Sequence, residues 1–404
     1  MNPDRNDAKI KRIERSVVKK TKLFLHIGHG KTGTSAIQSA LAIAAEDLSK
    51  IGIYYPISKS LRDKASHLEI TSGNWKAQPE SKLSEQLIKL TQDNQHYSKI
   101  VLSSESLFWL ISDFIKDKDA WDEHIDIHVI LAVREIDEML SSEYQQRVKR
   151  HGDCIPLGQF LRRRNFLSSH HVKAAEIISL MHQYNVKHTL INYSKHKQDI
   201  SRLLFKVIGS EEKYPETQMK DAIVNRSLSR KELETLTTIN ALYAKKFPWI
   251  STKISDALIT NQPKLKSQQC KITTQHLKKI YETNDAYIQA INKFLDPTEK
   301  LNSLLNFSQE SAKQINSPQN QKKVREEEII SIDLIGEALT QVLSNESQRK
   351  LSNDTVDAII ELSQSGRVSK ETEVELLQLA KQNRPKALKL SRLLEHATKE
   401  LLKD

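Results

Sequence analysis

The sequence predicts an α/β fold of the P-loop type, in which a mainly parallel sheet lies between two layers of helices and a small all-helical extension follows. Short apolar runs alternate with helical stretches in the first half of the 404-residue chain, and a glycine-rich turn follows the first run. After about residue 228 the apolar residues recur with helical spacing alone. Because strands joined through helices form right-handed crossovers, we expect mainly parallel pairing.

The first strand, turn and helix are the most distinct of these elements. The apolar run LFLHIG, which begins at Leu23, predicts a buried strand. Gly28, Gly30 and Gly33 then interrupt the apolar pattern, and a helical pattern starts near Ser35. Serine and threonine residues at this point are suitable N-caps. The sequence therefore predicts a strand, a glycine-rich turn and a helix in direct succession.

Four further runs predict the remaining strands. They are short and rich in apolar or β-branched residues, and helical stretches separate most of them. The runs are GIYYP at 52–56, KIVLSSE at 99–105, IHVILAV at 127–133 and VKHTLIN at 186–192. In parallel α/β sheets, ligands bind beyond the carboxyl ends of the strands. Residues at the ends of these runs are therefore the candidates for a functional site.

Composition divides the chain into four parts. Residues 1–20 form a basic arm that we expect to be flexible, and 21–296 form the predicted P-loop-type domain, which ends in helices. Residues 297–325 are polar and rich in Gln, Ser and Asn, which is typical of a linker. Helical spacing returns within 326–404, where we expect a small helical module with no recognisable chemistry and an unidentified protein partner.

The sequence also argues against several classes of protein. No apolar run approaches the roughly 20 residues of a transmembrane helix, and the charged N-terminal segment lacks the apolar core of a secretory signal peptide. We therefore expect a cytoplasmic protein without integral membrane contact. Cys154 and Cys270 lie far apart and lack metal-ligand spacing, so we expect neither a disulfide framework nor a zinc site.

The positive charge is unevenly distributed. The formal net charge is +11, and the residues from 297 onward are close to neutral, so the excess lies in the first three quarters of the chain. A basic domain suits anionic ligands. The stretches RVKRHG at 147–152 and RRRN at 162–165 either attract an acidic acceptor or form a solvated helix face. The sequence contains no zinc-finger, homeodomain or RNP signature, so we expect no nucleic-acid partner.

The stretch LFLHIGHGKTGTSAIQSAL at 23–41 predicts a cradle for a phosphate or sulfate group. A glycine-rich turn between a strand and a helix presents backbone N–H groups and the positive end of the helix dipole to an anion. Lys31 adds a full positive charge. The alternative is an ordinary connection with an incidental lysine. The coincidence of glycines, lysine and Ser/Thr residues at one junction favours the cradle.

The residue spacing in this stretch differs from the motif of the loop that binds ATP or GTP. The motif G-x-x-x-x-G-K-[ST] would require glycine at position 25, where this chain has Leu25. A nucleoside triphosphatase also needs an acidic residue at the end of a neighbouring strand to hold magnesium. The run IHVILAV is instead followed by Arg134. This arginine favours an anion that is bound without a metal ion.

At this point the residues resemble the sulfotransferases that use 3′-phosphoadenosine 5′-phosphosulfate (PAPS). The sequence KTGTS at 31–35 is similar to the family's loop for the 5′-phosphosulfate. In that family, an arginine after a second strand and a serine eight residues later hold the 3′-phosphate, and Arg134 and Ser142 have this spacing. The stretches SSESLF at 103–108 and VNRSLSRKELETL at 224–236 resemble the bacterial branch of the family.

The resemblance covers roughly residues 20–296 and implies that PAPS is the sulfuryl donor. Lys31 would then stabilise the charge that develops on the bridging oxygen of the leaving group. Arg134 and Ser142 would bind the 3′-phosphate. The sulfate and 5′-phosphate oxygens would be held by the amides and hydroxyls of Gly30, Thr32, Gly33, Thr34 and Ser35.

A general base must accept the proton of the acceptor hydroxyl. Glu105 stands where the family carries its base, which is a glutamate in some members and a histidine in others. Its alternative roles are to cap the following helix or to pair with a lysine. His67, in the loop after GIYYP, is the second candidate for the base, and the alternative is a solvated side chain. Tyr193 either approaches the nucleotide or belongs to the core.

These inferences lead us to expect an enzyme that transfers a sulfuryl group from PAPS to a hydroxyl or amine. The family preference favours a glycan acceptor, such as a precursor of a cell-surface polysaccharide, and a small-molecule acceptor is the other option. Two alternatives stay open. The chain is a divergent P-loop kinase or NTPase, which would depend on magnesium, or it is a non-catalytic nucleotide-binding scaffold that acts through its C-terminal helices.

Overall fold

The computed structural model describes residues 20–66, 73–220, 227–245, 247–262, 265, 270–315, 353–366, 368–385 and 387–401. These residues form two compact units. The first unit contains the described residues of Met1–Ile136, Ser168–Val224 and Tyr281–Asn306. The second unit contains the described residues of Asp137–Leu167, Asn225–Ile280 and Phe307–Asp404.

A five-stranded sheet lies in the first unit. Its strands are β1 (Lys22–His26), β2 (Ile53–Tyr54), β3 (Lys99–Ser103), β4 (Asp126–Val133) and β5 (Lys187–Asn192). Their order is β2-β3-β1-β4-β5, and every pair of neighbours is parallel. The predicted α/β class with a parallel sheet is confirmed. Because β1 lies between β3 and β4, the carboxyl ends of these three strands are adjacent.

The apolar runs form strands that are buried on both faces. In β1 the side chains of Leu23 and Leu25 have no exposed surface, and Phe24, which faces the other side, is 2% exposed. Leu25 is in register with Leu102 of β3 and with Val129 of β4. Such strands are continuously apolar rather than alternating because helices cover both faces of a parallel sheet.

Eighteen α-helices occur among the described residues, so the chain is mostly helical. The first ten are α1 (Thr34–Ile43), α2 (Ala45–Lys50), α3 (Lys59–Ser66), α4 (Leu83–Asp93), α5 (Leu107–Lys116), α6 (Lys118–Trp121), α7 (Ile136–His151), α8 (Leu157–Arg163), α9 (Ser169–Gln183) and α10 (Ile200–Ile208). The other eight are α11 (Glu216–Met219), α12 (Arg230–Tyr243), α13 (Ile250–Asn261), α14 (Thr274–Asn292), α15 (Leu304–Ile315), α16 (Asn353–Ser363), α17 (Lys370–Asn383) and α18 (Leu388–Leu401). None of these helices is long and apolar enough to cross a membrane.

Helices α1 and α10 share a hydrophobic cluster with the sheet in the first unit. Ile37 and Leu41, one helical turn apart on α1, are buried in this cluster with Leu204 and Phe205 of α10. Phe24 contributes from β1. The spacing of four residues places Ile37 and Leu41 on one face of the helix. This burial fixes α1 against β1, and with it the turn that joins them.

A second hydrophobic cluster lies in the second unit and involves the last three helices. Its buried members include Val356 on α16, Leu377 and Ala380 on α17, and Leu390 on α18. The partly buried Trp249 also packs against this cluster. These helices fall within 326–404, where the sequence has helical spacing. Residues 316–352 lie outside the described part of the chain.

Helix α12, in the second unit, begins where the stretch 224–236 resembles bacterial sulfotransferases. Ser229 is its N-cap: its hydroxyl accepts a hydrogen bond from the Glu232 amide at 3.3 Å, and the Glu232 carboxylate accepts one from the Ser229 amide at 2.7 Å. This capping box satisfies two amides that the helix leaves without intrahelical partners. Residues 221–226 lie outside the described residues.

The described part of the predicted linker begins with residues that belong to the first unit. Leu301 and the side chain of Asn292 exchange two hydrogen bonds of 2.8 Å. The Glu299 carboxylate accepts a hydrogen bond from the Asn192 amide at the end of β5. Helix α15 follows, and residues 316–325 lie outside the described part. These bonds hold the chain after residue 297 next to the carboxyl end of β5.

Candidate functional site

A glycine-rich loop, Gly28–Gly33, joins the end of β1 to the first residue of α1. Lys31 and Gly33 have positive φ angles of 78° and 82°, and Thr32 between them does not. Residues of opposite φ in succession turn their amides toward one concave side, which is the geometry of an anion-binding nest. No side chain caps α1 at Gly33, so the helix presents its N-terminal amides at the same place.

Side chains within the loop stabilise this conformation. The buried Thr32 hydroxyl donates a hydrogen bond of 2.7 Å to the His29 carbonyl oxygen. There is no room for a side chain at Gly28, since an added Cβ atom would lie 2.7 Å from His26 Nε2 and 3.1 Å from Thr32 Oγ1. The glycine at this position is therefore required by the close approach of the loop to β1.

Arg134 contacts the loop from one side. It directly follows β4, and its Nη1 donates a hydrogen bond of 2.7 Å to the Lys31 carbonyl oxygen. Its guanidinium also lies 5.2 Å from the centre of the Tyr193 ring. The left-handed conformation is uncommon for a residue with a side chain, and the bond from Arg134 helps to hold Lys31 in it. The guanidinium is thus positioned at the edge of the loop.

Glu105 contacts the loop from the other side, beyond the end of β3. Its Oε1 accepts a hydrogen bond of 2.8 Å from the Thr34 hydroxyl. A Cβ atom added to Gly30 would lie 3.4 Å from Oε2 of the same carboxylate. In the described part of the chain, Glu105 forms no ion pair with a lysine, and it does not cap α5. The carboxylate therefore faces the loop rather than the helix that follows.

Three histidines lie beneath or beside the loop, and burial keeps them neutral. His26 Nδ1 lies 2.8 Å from Ser103 Oγ, and desolvation lowers the pKa of His26 to about 4. Burial, and then the charge of His170, lowers the pKa of His29 well below its usual value. Desolvation also lowers the pKa of His171 to about 4. Near neutral pH these three histidines therefore add no positive charge at the loop.

Neutral His171 has a definite role next to Arg134. Its Nε2 donates a hydrogen bond of 2.9 Å to the Arg134 carbonyl oxygen, and its Nδ1 lies 2.9 Å from Ser168 Oγ. Because the carbonyl only accepts, the proton of the neutral ring is on Nε2, and Nδ1 accepts from the serine. The backbone of Arg134 is thereby held through its carbonyl oxygen.

The structure brings together most of the residues that the sequence predicted for the site. Arg134 and Glu105 approach the loop from two sides. Ser142 lies on α7, within the second unit. His67 lies outside the described residues. The predicted residues that lie in the loop or the first turn of α1 are Gly30, Lys31, Thr32, Gly33, Thr34 and Ser35.

The positions of two residues at the site became clear only from the structure. Tyr193 lies against the loop, since its ring is close to both Arg134 and the Cα atom of Gly33. His29 is 3% exposed, and its Nδ1 donates to the Gly30 carbonyl oxygen at 3.0 Å. His29 lies within the glycine-rich motif, and its sequence position predicted no role for it. A histidine between two glycines is the one signal in the sequence.

Three arginines of the two basic stretches form ion pairs within the second unit. Arg147 pairs with Asp153, Arg150 with Asp256, and Arg164 with Glu143, at distances of 2.7, 2.7 and 2.5 Å. Arg162 and Arg163 are exposed. Among the described residues, no group of three or more His, Cys, Asp or Glu side chains is arranged to hold a metal ion.

We predict that Gly33→Ala destabilises the first unit more than Gly209→Ala. Both glycines have positive φ, so each substitution costs about 1–2 kcal/mol of backbone strain. At Gly33 the new methyl group would also lie 2.8 Å from Ile200 and from Tyr193, which adds about 1–3 kcal/mol. At Gly209 it meets only the flexible end of Lys99. Urea unfolding measures both; equal losses would contradict the tight packing of the loop.

The comparisons with known proteins return no relative for this chain. No protein-family model, curated protein or solved structure matches it.

Proposed function

We propose that this protein is a PAPS-dependent sulfotransferase that acts without a metal ion. One observation carries the proposal: Arg134 and Glu105 follow the two strands that flank β1, and both bond to the junction of the glycine-rich loop and α1. Arg134 bonds to Lys31 of the loop at 2.7 Å, and Glu105 bonds to Thr34, the first residue of α1, at 2.8 Å. A cation and a carboxylate on opposite sides of an anion cradle suit a donor with two phosphate groups and an acceptor that must lose a proton.

In this proposal, the loop and the first turn of α1 hold the 5′-phosphosulfate. The amides around Gly30 and Gly33 and the hydroxyl of Ser35 supply the donors, together with the Thr32 amide, because the Thr32 hydroxyl already donates its one proton to the His29 carbonyl oxygen. Arg134 binds the 3′-phosphate. A guanidinium has five N–H donors in a planar fork, so one group is able to hold a loop carbonyl and a phosphate together. The assignment of Ser142 to the 3′-phosphate rests on the sequence spacing.

The reaction transfers the sulfuryl group from a phosphate oxygen of the donor to an oxygen or nitrogen of the acceptor. The new bond to sulfur forms as the bond to the bridging oxygen breaks, and adenosine 3′,5′-bisphosphate leaves. Lys31 stabilises the charge that grows on the bridging oxygen. Glu105 accepts the acceptor's proton, and its carboxylate is held next to the loop by the hydrogen bond that it accepts from Thr34. The acceptor in this proposal is a glycan.

A second candidate function is favoured by the same carboxylate. Glu105 is an acidic residue beyond the end of a strand next to β1, and it is hydrogen-bonded to Thr34, the first residue of α1. A kinase or NTPase requires an acid in such a place to hold magnesium beside the phosphates. The two functions differ in their nucleotide and in their dependence on a divalent cation, so nucleotide binding with and without magnesium distinguishes them.

We predict that Arg134→Ala removes the preference for a 3′-phosphate. Wild-type protein should bind adenosine 3′,5′-bisphosphate more tightly than adenosine 5′-monophosphate. A hydrogen bond to a charged group contributes about 1.5–3 kcal/mol. The ratio of the two affinities should therefore fall by on the order of 10- to 150-fold in the variant. Calorimetric titration in EDTA measures it.

Arg202→Ala is the matched control, because Arg202 is also in the first unit but pairs with Glu211 and Glu216 at the surface. This control should keep the wild-type preference. A wild-type protein that binds both nucleotides equally, or an Arg134→Ala variant that still discriminates, would contradict the role of Arg134.

A further inference from the structure

An exposed tryptophan lies close to the candidate site. Trp109 is 51% exposed and Leu110 is 41% exposed, although both are large apolar side chains. They lie in the first turn of α5, which begins two residues after Glu105. Phe108, between them and the site carboxylate in the chain, is fully buried. The exposed indole therefore projects from a well-packed helix end at the carboxyl edge of the sheet.

A set of aromatic rings connects Trp109 to the glycine-rich loop. The Trp109 ring lies 5.1 Å from Phe108, edge to face, and 5.6 Å from His170. The His29 ring, within the loop, lies 5.1 Å from Phe108 and 4.9 Å from His170. Each route from the indole to the loop thus passes through one intervening ring. We name Trp109 and His170 the aromatic platform.

The platform is built on two helices that pack together. Trp109 is in the first turn of α5, and His170 is in the first turn of α9. The Lys173 ammonium of α9 donates a hydrogen bond of 2.8 Å to the Ser112 hydroxyl of α5. Phe108 contacts both rings, and His29 contacts the His170 ring. A binding surface on rigid elements loses little conformational entropy when a ligand binds.

We propose that the aromatic platform is the acceptor subsite and that it binds the apolar face of a pyranose ring; this inference rests on the proposed sulfotransferase function. A pyranose has one face of C–H groups and a rim of hydroxyls. The indole offers a large apolar surface for the face. Glu105, two residues before α5, offers an acceptor for a rim hydroxyl. An open-chain polyol has the same hydroxyls but no flat apolar face.

The platform also selects against larger occupants. A single exposed aromatic with one neighbouring leucine is a small apolar surface, whereas stable protein interfaces bury about 800 Å² on each partner. One tryptophan next to a histidine, with a carboxylate four residues earlier in the chain, matches the size and mixed polarity of one sugar ring. The subsite therefore binds an acceptor that contains a sugar ring in preference to a linear alcohol.

The test measures carbohydrate binding and nucleotide binding separately on the full chain. Chitotetraose and cellotetraose are titrated calorimetrically with and without adenosine 3′,5′-bisphosphate, and sorbitol is the open-chain control. The variants are Trp109→Ala and Trp109→Phe. We expect Trp109→Ala to weaken binding of at least one tetrasaccharide about tenfold or more, while Trp109→Phe retains most of it. Affinity for the nucleotide should change less than about twofold, because the indole lies outside the loop.

Each contrary result has a distinct meaning. The acceptor inference is overturned if neither tetrasaccharide binds wild-type protein, if Trp109→Ala binds them equally well, or if sorbitol binds as tightly. It is also overturned if Trp109→Ala abolishes self-association in sedimentation experiments, because a second copy of the chain would then be the occupant. If wild-type protein fails to bind the nucleotide, the proposed function is refuted instead. The carbohydrate titration then still reports on the platform.

Discussion

Lys31→Ala should lower the turnover of PAPS by on the order of 100- to 1000-fold, the range seen when one preorganised donor to a developing negative charge is removed. Lys31 lies in the glycine-rich loop with a φ of 78°, and Arg134 holds its carbonyl oxygen. The ammonium group is thus attached to a fixed backbone position. The measurement is the rate at which adenosine 3′,5′-bisphosphate forms from PAPS at saturating donor.

Lys22→Ala is the matched control, because it removes the same charge from the opposite, amino-terminal end of β1. Its turnover should stay within about twofold of wild type, since general electrostatic attraction is screened over such a distance. If the two variants lose activity equally, net charge rather than the position of Lys31 is responsible, and the assignment of Lys31 to the leaving group is wrong.

Glu105→Gln should lower turnover by about 100- to 10,000-fold, the range for loss of a general base. The amide retains the shape of the side chain and an oxygen that accepts the hydrogen bond from Thr34. It loses the ability to take a proton. Affinity for adenosine 3′,5′-bisphosphate should therefore change little. The loss of activity should appear in the turnover measured at saturating donor.

Thr34→Val distinguishes chemistry from structural support. This substitution removes the hydroxyl that donates to Glu105 but leaves the carboxylate in place. Its turnover should fall far less than that of Glu105→Gln. If both variants lose activity to the same extent, the carboxylate acts by holding the loop and another group is the base. His67 would then be the next residue to substitute.

The sequence contains enough information to place the loop after a central strand and to place Arg134 and Glu105 at strand ends. Leu23 and the apolar residues after it define a central strand, and the glycines mark the turn. Arg134 and Glu105 each follow an apolar run, and the parallel sheet brings the ends of such runs to one edge. Arg134 and Glu105 both approach the loop because the strand order is β3-β1-β4. The sequence pattern alone did not establish this order.

Other features depend on contacts between residues that are distant in the chain. Trp109 and His170 share no motif, and their proximity results from the packing of α5 against α9. His29 looks like one of several polar residues in a glycine-rich turn until its burial is known. Glu299 lies in a polar stretch that is typical of a linker, yet it accepts hydrogen bonds from the Asn192 amide and the His196 ring. No local sequence pattern indicates such hydrogen-bond partners.

The most direct test of the proposed function is calorimetric titration of wild-type protein with adenosine 3′,5′-bisphosphate in EDTA, and with ATP in EDTA and in magnesium. The sulfotransferase proposal predicts tight binding of the bisphosphate without a metal ion, and much weaker binding of ATP under both conditions. Failure to bind the bisphosphate, or binding of ATP that requires magnesium, would contradict the proposal and favour a kinase or NTPase.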